Sequence, residues 1–225
     1  MEEVREYSIA GTRLVIADEI GSQAARWVAN ELALDEYGLS RISFRPGNVI
    51  IDVGAHVGLF SLYLALRHPE VTIVAFEPEP HNFRNLAANV ARHRALNIFA
   101  FNLAVTADGA SFSLCRPPAN SGGASGYFTE TEGYRASVAS SVTLDSIFAR
   151  FVPGRCALLK LDCEGAEHEI VPPCSVLPRV DWFCAEFHMN RLLAAAGHSN
   201  QRLADRVWSQ IPRERTTIGM IAMGE

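Results

Sequence analysis

Ile51-Asp52-Val53-Gly54-Ala55-His56-Val57-Gly58 brings an acid, two glycines and a histidine together at the end of an apolar run. Gly54 lets the backbone turn tightly and approach a ligand, and Gly58 lets the next helix pack closely. The helix that follows presents unpaired N–H groups, which can hold an anionic or polar group. A dinucleotide pyrophosphate needs a glycine in the middle of such a turn, where this chain has His56. Asp52 would repel a phosphate but favour an ammonium or a sulfonium. S-adenosylmethionine carries both cations and no phosphate. It is therefore the cofactor this turn favours over a nicotinamide dinucleotide.

The next acid at a strand end is Glu77, in Phe76-Glu77-Pro78. Such a carboxylate can accept from both hydroxyls of a ribose; the plain alternative is an acid stabilised by a helix dipole. Ala55, His56, Pro78 and Asn82 belong to the same cradle. Asn102-Leu103-Ala104 stands where an adenine would lie, unless it is ordinary core. Asp162-Cys163-Glu164-Gly165, Glu186 and His188 form the second group. Two carboxylates at one strand end repel unless a cation is near. For methyl transfer to a hydroxyl, His188 reads as the general base, with Asp162 or Glu164 positioning the acceptor; a helix-capping histidine is the plain alternative. Asp162, Glu186 and His188 could instead hold a divalent ion, but no metal is expected. Glu167 reads as a first-turn acid, and His68, His81, His93, His168 and His198 as solvated or helix-surface residues.

These groups need a frame that gathers strand ends. Tyr7 to Ala17 reads as a hairpin turning at Ala10-Gly11. Ser22 to Leu34 reads as a helix with Trp27, Val28 and Leu32 inward and Tyr37 beyond it. From Asn48 the pattern alternates: strand Val49–Val53, helix Leu59–Leu66, strand Val71–Phe76, helix Asn82–Arg94 opened by Pro80, strand Ile98–Val105. Strand Cys156–Leu161, a short helix over Ala166–Val171 and strand Val180–Phe187 follow. This order implies an α/β fold, a mostly parallel sheet with helices on both faces and a ligand at the edge where strand order reverses. Residues 1–47 read as a hairpin and helix packed on a main domain of residues 48–225, one structural domain in all. Only Thr216 to Met223 is a convincing strand after Phe187. The C-terminal edge is thus expected to be shortened, or completed by an N-terminal strand. Between the third and fourth strands, Pro117 to Arg135 is rich in glycine, serine and proline; it reads as a surface connection or a substrate lid.

Composition narrows the function classes. The net charge is -5 over 225 residues, and Lys160 is the one lysine. That disfavours nucleic acid as a partner. No apolar run reaches membrane-spanning length and none resembles a secretory signal, so a cytoplasmic protein is expected. The five cysteines show no zinc-like spacing and read as reduced core thiols.

The motifs taken in order resemble the FkbM-type methyltransferase family: Ile51 to Ser61, Ala75-Phe76-Glu77-Pro78 with Asn82-Phe83, Leu103-Ala104-Val105, Thr143-Leu144-Asp145, and Leu159 to Glu167. Cys163 stands where that family usually has a small aliphatic residue. The resemblance implies a Rossmann-like class I methyltransferase fold. It also implies methyl transfer from S-adenosylmethionine, typically to hydroxyls of sugars or natural products, and cofactor roles for Asp52, Gly54, Gly58 and Glu77. A small-molecule acceptor is the expected partner, and a homodimer is left open. A carboxylate or amine acceptor on the same fold is the alternative. An NAD-dependent oxidoreductase or a non-catalytic binding protein ranks behind it, because the strand-end acids are intact.

Overall fold

The computed structural model describes residues 1–118, 120–127 and 134–223. Residues 119 and 128–133, part of the expected lid, and residues 224–225 lie outside the described residues. The N-terminal hairpin is β1 (Glu2–Ile9) and β2 (Thr12–Glu19), turning where Ala10 and Gly11 both adopt positive φ. Helix α1 (Ala24–Ala33) follows, with Ala25, Ala29 and Leu32 buried. Trp27 does not point inward as its spacing suggested. It is 54% exposed, because the small alanine face is the one that packs inward.

The apolar run Val49–Val53 forms β3, buried at every position. It leads through the glycine turn into α2 (Leu59–Arg67), β4 (Thr72–Phe76), α3 (Pro80–His93) and β5 (Ile98–Phe101). The expected third strand is cut short. Asn102 donates its side-chain amide to the carbonyls of Glu77 (2.9 Å) and Pro78 (3.0 Å), and the chain leaves the sheet. β6 (Ala104–Val105) then joins a later strand. β7 (Phe112–Arg116) and β8 (Arg135–Ala139) form an antiparallel ribbon, and β9 (Ser141–Val142) pairs with β6. Helix α4 (Leu144–Phe151), capped by a Thr143–Ser146 box, returns the chain to β10 (Cys156–Leu161). Short α5 (Glu167–Ile170), β11 (Val180–Met189), α6 (Arg191–Ala195), α7 (Asn200–Trp208) and β12 (Thr216–Ala222) complete the described chain.

The main sheet has six strands in the order β12-β11-β10-β3-β4-β5, all parallel. The far edge is closed by β12; among the described residues the N-terminal strands pair only with each other. One core cluster gathers α4, α5 and α7 on one face, and the other gathers α1, α2, α3 and the hairpin. Both faces are thus covered, as buried parallel strands require. Strand order reverses between β3 and β10. The register pairs Val53 with both Phe76 and Leu161, and Leu161 with Ala185. The residues that come next (Gly54, Glu77, Asp162 and Glu186) therefore form one row along the carboxyl edge. Among the described residues no helix is long and apolar enough to cross a membrane.

A buried asparagine fastens the hairpin to this frame. Asn89 accepts from the Ala17 N–H at 2.8 Å and donates to the carbonyls of Ala17 (3.0 Å) and Val57 (2.9 Å). Leucine there would strand three main-chain groups, each worth about 1–3 kcal/mol when left unpaired. Asn89→Leu is expected to lower stability by at least about 2 kcal/mol in urea unfolding. An unchanged midpoint would show that the hairpin is held elsewhere.

Candidate active site

The turn after β3 admits only glycine at position 54. Its φ is +78°, and a Cβ there would lie 1.7 Å from the Asp162 carbonyl oxygen. The N–H groups of Gly54 and Ala55 both donate to the Phe76 carbonyl at 3.0 Å, which ties the turn to the end of β4. Gly58 caps α2 in the left-handed region, and a Cβ on it would lie 3.2 Å from Leu86 of α3. Its missing side chain serves helix–helix packing.

Asp52 was expected to face a cofactor cation, and the structure corrects this. Its carboxylate is fully buried beneath the turn and does not line the cleft. It accepts from Ser61 Oγ at 2.6 Å and lies 3.3 Å from Lys160 Nζ. Lys160 donates to the Gly54 carbonyl at 3.0 Å and lies 3.4 Å from Asp162. Burial opposes its charge, but Asp52 and Asp162 outweigh that and hold the ammonium protonated. Asp52 therefore anchors Lys160. Lys160 is not among the site residues the motifs suggest, although a lone lysine inside an otherwise apolar strand run is the signal that points to it.

Above the turn lies a cleft of about 990 Å³, counting space open to solvent. Gly54, His56, Glu77, Pro78, Asn82, Leu103 and Ala104 of the expected cradle line it; Ala55, Gly58 and Asn102 are not among its lining residues. Phe76, Leu103, Val105, Phe112 and Leu114 supply an apolar wall. Glu77 is 4% exposed, and main-chain N–H groups hold both its oxygens: Glu79 at 2.9 Å and His56 at 2.8 Å. Burial pushes its carboxyl up to about 7, against those two bonds. Asn82 donates to the Ser121 carbonyl at 2.7 Å, while its own buried Oδ1 has no hydrogen-bond partner among the described residues.

His56 adopts φ +51° and turns its ring toward the insertion, with Nε2 2.6 Å from Ser121 Oγ and 3.8 Å from Asp18. Burial lowers its pKa against the pull of Asp18. Ser121 also donates to Asp18 at 2.8 Å and lies 2.7 Å from Ser22 Oγ. Arg116 forms a buried ion pair with Glu19 of β2. The hairpin and the insertion thus meet over the cleft. Trp27 and Glu31 of α1 line it as well. Residues from so far along the chain carried no motif to reveal them.

At the other end, Asp162, Glu164 and Glu186 line the cleft. His188, the expected general base, is not among its lining residues, and its side chain is 5% exposed. Its ring lies behind the carboxylates, with Nε2 3.7 Å from Glu186, 3.8 Å from Glu164 and 4.0 Å from Asp162, and Nδ1 3.5 Å from Glu167. Burial works against the imidazolium, yet Glu167, Glu164 and Asp162 push its pKa up to about 10. Burial pushes Glu164 up to about 8 and Glu186 to about 7. Cys163 is driven well above its ordinary range by burial and then by Glu167, so its thiol stays protonated. Glu167 stands in the first turn of α5 as expected, and it is fully buried there, accepting from the N–H groups of Cys163 (2.5 Å) and Gly165 (3.0 Å). His168 is buried too, its Nε2 donating to the His188 carbonyl at 3.0 Å.

The methyltransferase FkbM domain matches residues 52–193. A 76-residue stretch is 42% identical to the 31-O-demethyl-FK506 methyltransferase FkbM of Streptomyces tacrolimicus, covering 33% of this chain and 29% of that protein. The match therefore spans less than a third of that relative's length. Methyltransferase 1 of Beauveria bassiana is 27% identical over 176 residues, 70% of each protein. Among solved structures, precorrin-6y C5,15-methyltransferase of Geobacter metallireducens GS-15 gives a TM-score of 0.39 at 14% identity, over 64% of this chain and 54% of that one.

Removing one partner of a buried ion pair typically costs about 3–5 kcal/mol, because the other charge is left uncompensated. Asp52→Asn is accordingly expected to lower the denaturation midpoint strongly in the protein alone, with no ligand present. A variant as stable as the parent would show that Lys160 does not depend on Asp52.

Proposed function

The chain belongs to the FkbM methyltransferase family, and we propose that it transfers the methyl group of S-adenosylmethionine to a hydroxyl oxygen of a small molecule such as a sugar or natural product. One observation carries the cofactor reading. Glu77 is fixed by two main-chain donors at the cleft wall, beside the unpartnered Oδ1 of Asn82 and an apolar surface. A nucleoside needs such a set: an acceptor for ribose hydroxyls, a polar atom beside it and a flat apolar bed. When bound, S-adenosylmethionine supplies an electrophilic methyl on a sulfonium and a thioether leaving group.

The residues then divide the work. Glu77 would hold the ribose, Asn82, Pro78 and Leu103 the adenosine, and the main chain at Gly54 the amino-acid end. Asp52 acts indirectly, by holding Lys160 and through it the Gly54 carbonyl. Asp162 and Glu164 position the acceptor hydroxyl, and a carboxylate of this ring takes its proton. Alignment is the larger contribution and proton removal adds about 10²–10⁴-fold. The cleft is lined by five carboxylates (Glu31, Glu77, Asp162, Glu164 and Glu186) and by no lysine or arginine among the described residues. That wall favours a neutral or cationic acceptor, so an amine is the second reading. It disfavours a carboxylate acceptor and a dinucleotide pyrophosphate alike.

Ribose hydroxyls donate to ionised Glu77, so a bound nucleoside favours the charged form of this carboxyl. Burial lowers the pKa of the neighbouring His56, so its protonation is read alongside that of Glu77. Because the free carboxyl sits at about 7, affinity for S-adenosylhomocysteine is expected to fall as pH drops through that value, by up to about tenfold per unit. Calorimetric titration should show weak, pH-independent binding in Glu77→Gln. Parent-like binding by that variant would refute the cofactor placement.

A further inference from the structure

We propose that Asp162, Glu164 and His188 bind a divalent metal ion at the acceptor end of the cleft. One donor atom from each lies within 4.8 Å of the others. Metal–oxygen bonds run from about 2.0 to 2.6 Å, so two ligands of one ion are separated by no more than about twice that length. The donors also stand on fixed supports. Glu164 holds φ +52° on the turn closed by Gly165, and its carbonyl accepts from Ser125 Oγ at 2.5 Å. His188 belongs to β11.

Two further observations separate this group from a simple patch of acids. The His188 side chain is 5% exposed, yet its Nε2 stands 3.7–4.0 Å from three carboxylates, too far for a hydrogen bond to any. Its other ring nitrogen is backed at 3.5 Å by Glu167, itself immobilised by two main-chain donors. A carboxylate behind the second nitrogen is how metal-binding imidazoles are oriented and made better donors. Lys160 divides itself between Asp52 and Asp162 and so offsets only part of the negative charge, and an ion taking the His188 nitrogen would displace its proton. Two oxygens and one imidazole suit a first-row ion such as Mn²⁺ or Zn²⁺ better than Ca²⁺, which takes six to eight oxygens.

The role of the ion rests on the methyl-transfer reading; its binding does not. With the acceptor oxygen on the ion, the hydroxyl becomes more acidic. Its O–H bond breaks and the proton passes to Glu186. The oxygen bonds the methyl carbon as the carbon–sulfur bond breaks, and the thioether leaves.

The test uses the whole chain, stripped with a chelator and titrated with Mn²⁺ alone, followed by electron paramagnetic resonance and calorimetry. One Mn²⁺ per chain with sub-millimolar affinity is expected, displaced by Zn²⁺. Glu164→Gln and His188→Ala should each weaken it by roughly tenfold or more, with circular dichroism confirming the fold. If His188→Ala does not fold, Glu164→Gln decides. Absence of sub-millimolar binding, or affinity unchanged in the folded variants, overturns the site. A parallel titration with S-adenosylhomocysteine keeps the two readings apart. Cofactor binding without metal sinks only this inference; metal binding without cofactor sinks only the nucleoside reading.

Discussion

Lys160 must be paired before the centre of this sheet can close. Its ammonium is buried between the two strands that flank the switch point, and Asp52, Asp162 and the Gly54 carbonyl are what it finds there. An unpaired buried charge costs several kcal/mol, so these partners fix the register and spacing of β3 against β10. That register puts the residues following both strands side by side, and the cleft opens above them. The glycine turn after β3 and the acids after β10 are thus held by one cation, which touches Asp162 directly and the turn through its backbone.

The second constraint comes from outside the sheet. Asn89 carries the hairpin onto α3, and the Ser121 group joins hairpin, insertion and the His56 turn in one buried polar knot. Networks of this kind are stable only when nearly every member is satisfied. The N-terminal segment and the insertion are therefore part of the cleft wall, with Trp27 and Glu31 among its lining residues.

Local pattern made much of this legible in the sequence. Buried runs such as Val49–Val53 and Cys156–Leu161, with the glycines between elements, give the alternating order and so the layered sheet. Gly54 and Glu77 at the cleft follow from their places at strand ends. What stayed hidden depends on partners distant in sequence. Nothing near Asp52 says that Lys160 will take its charge, and nothing near Glu186 says that four carboxylates will surround His188 and hold it back from the cleft. Period-two alternation put Glu186 and His188 on one side correctly, with His188 Nε2 3.7 Å from Glu186, but it carries no information on depth along that side. The break after Phe101 was missed because Asn102 looks like a ligand contact until its amide is seen capping the neighbouring strand end.

Lys160 and Gly54 are 106 positions apart, and this separation bears on how the chain assembles. As the polypeptide emerges from a ribosome, β3, β4 and β5 are made long before β10. Until then Asp52 has only Ser61 to answer it, inside a layer that should exclude water. The first half of the molecule therefore lacks a finished interior of its own. Closure of the sheet waits on the one residue able to neutralise it, which makes completion of the fold a late and cooperative event.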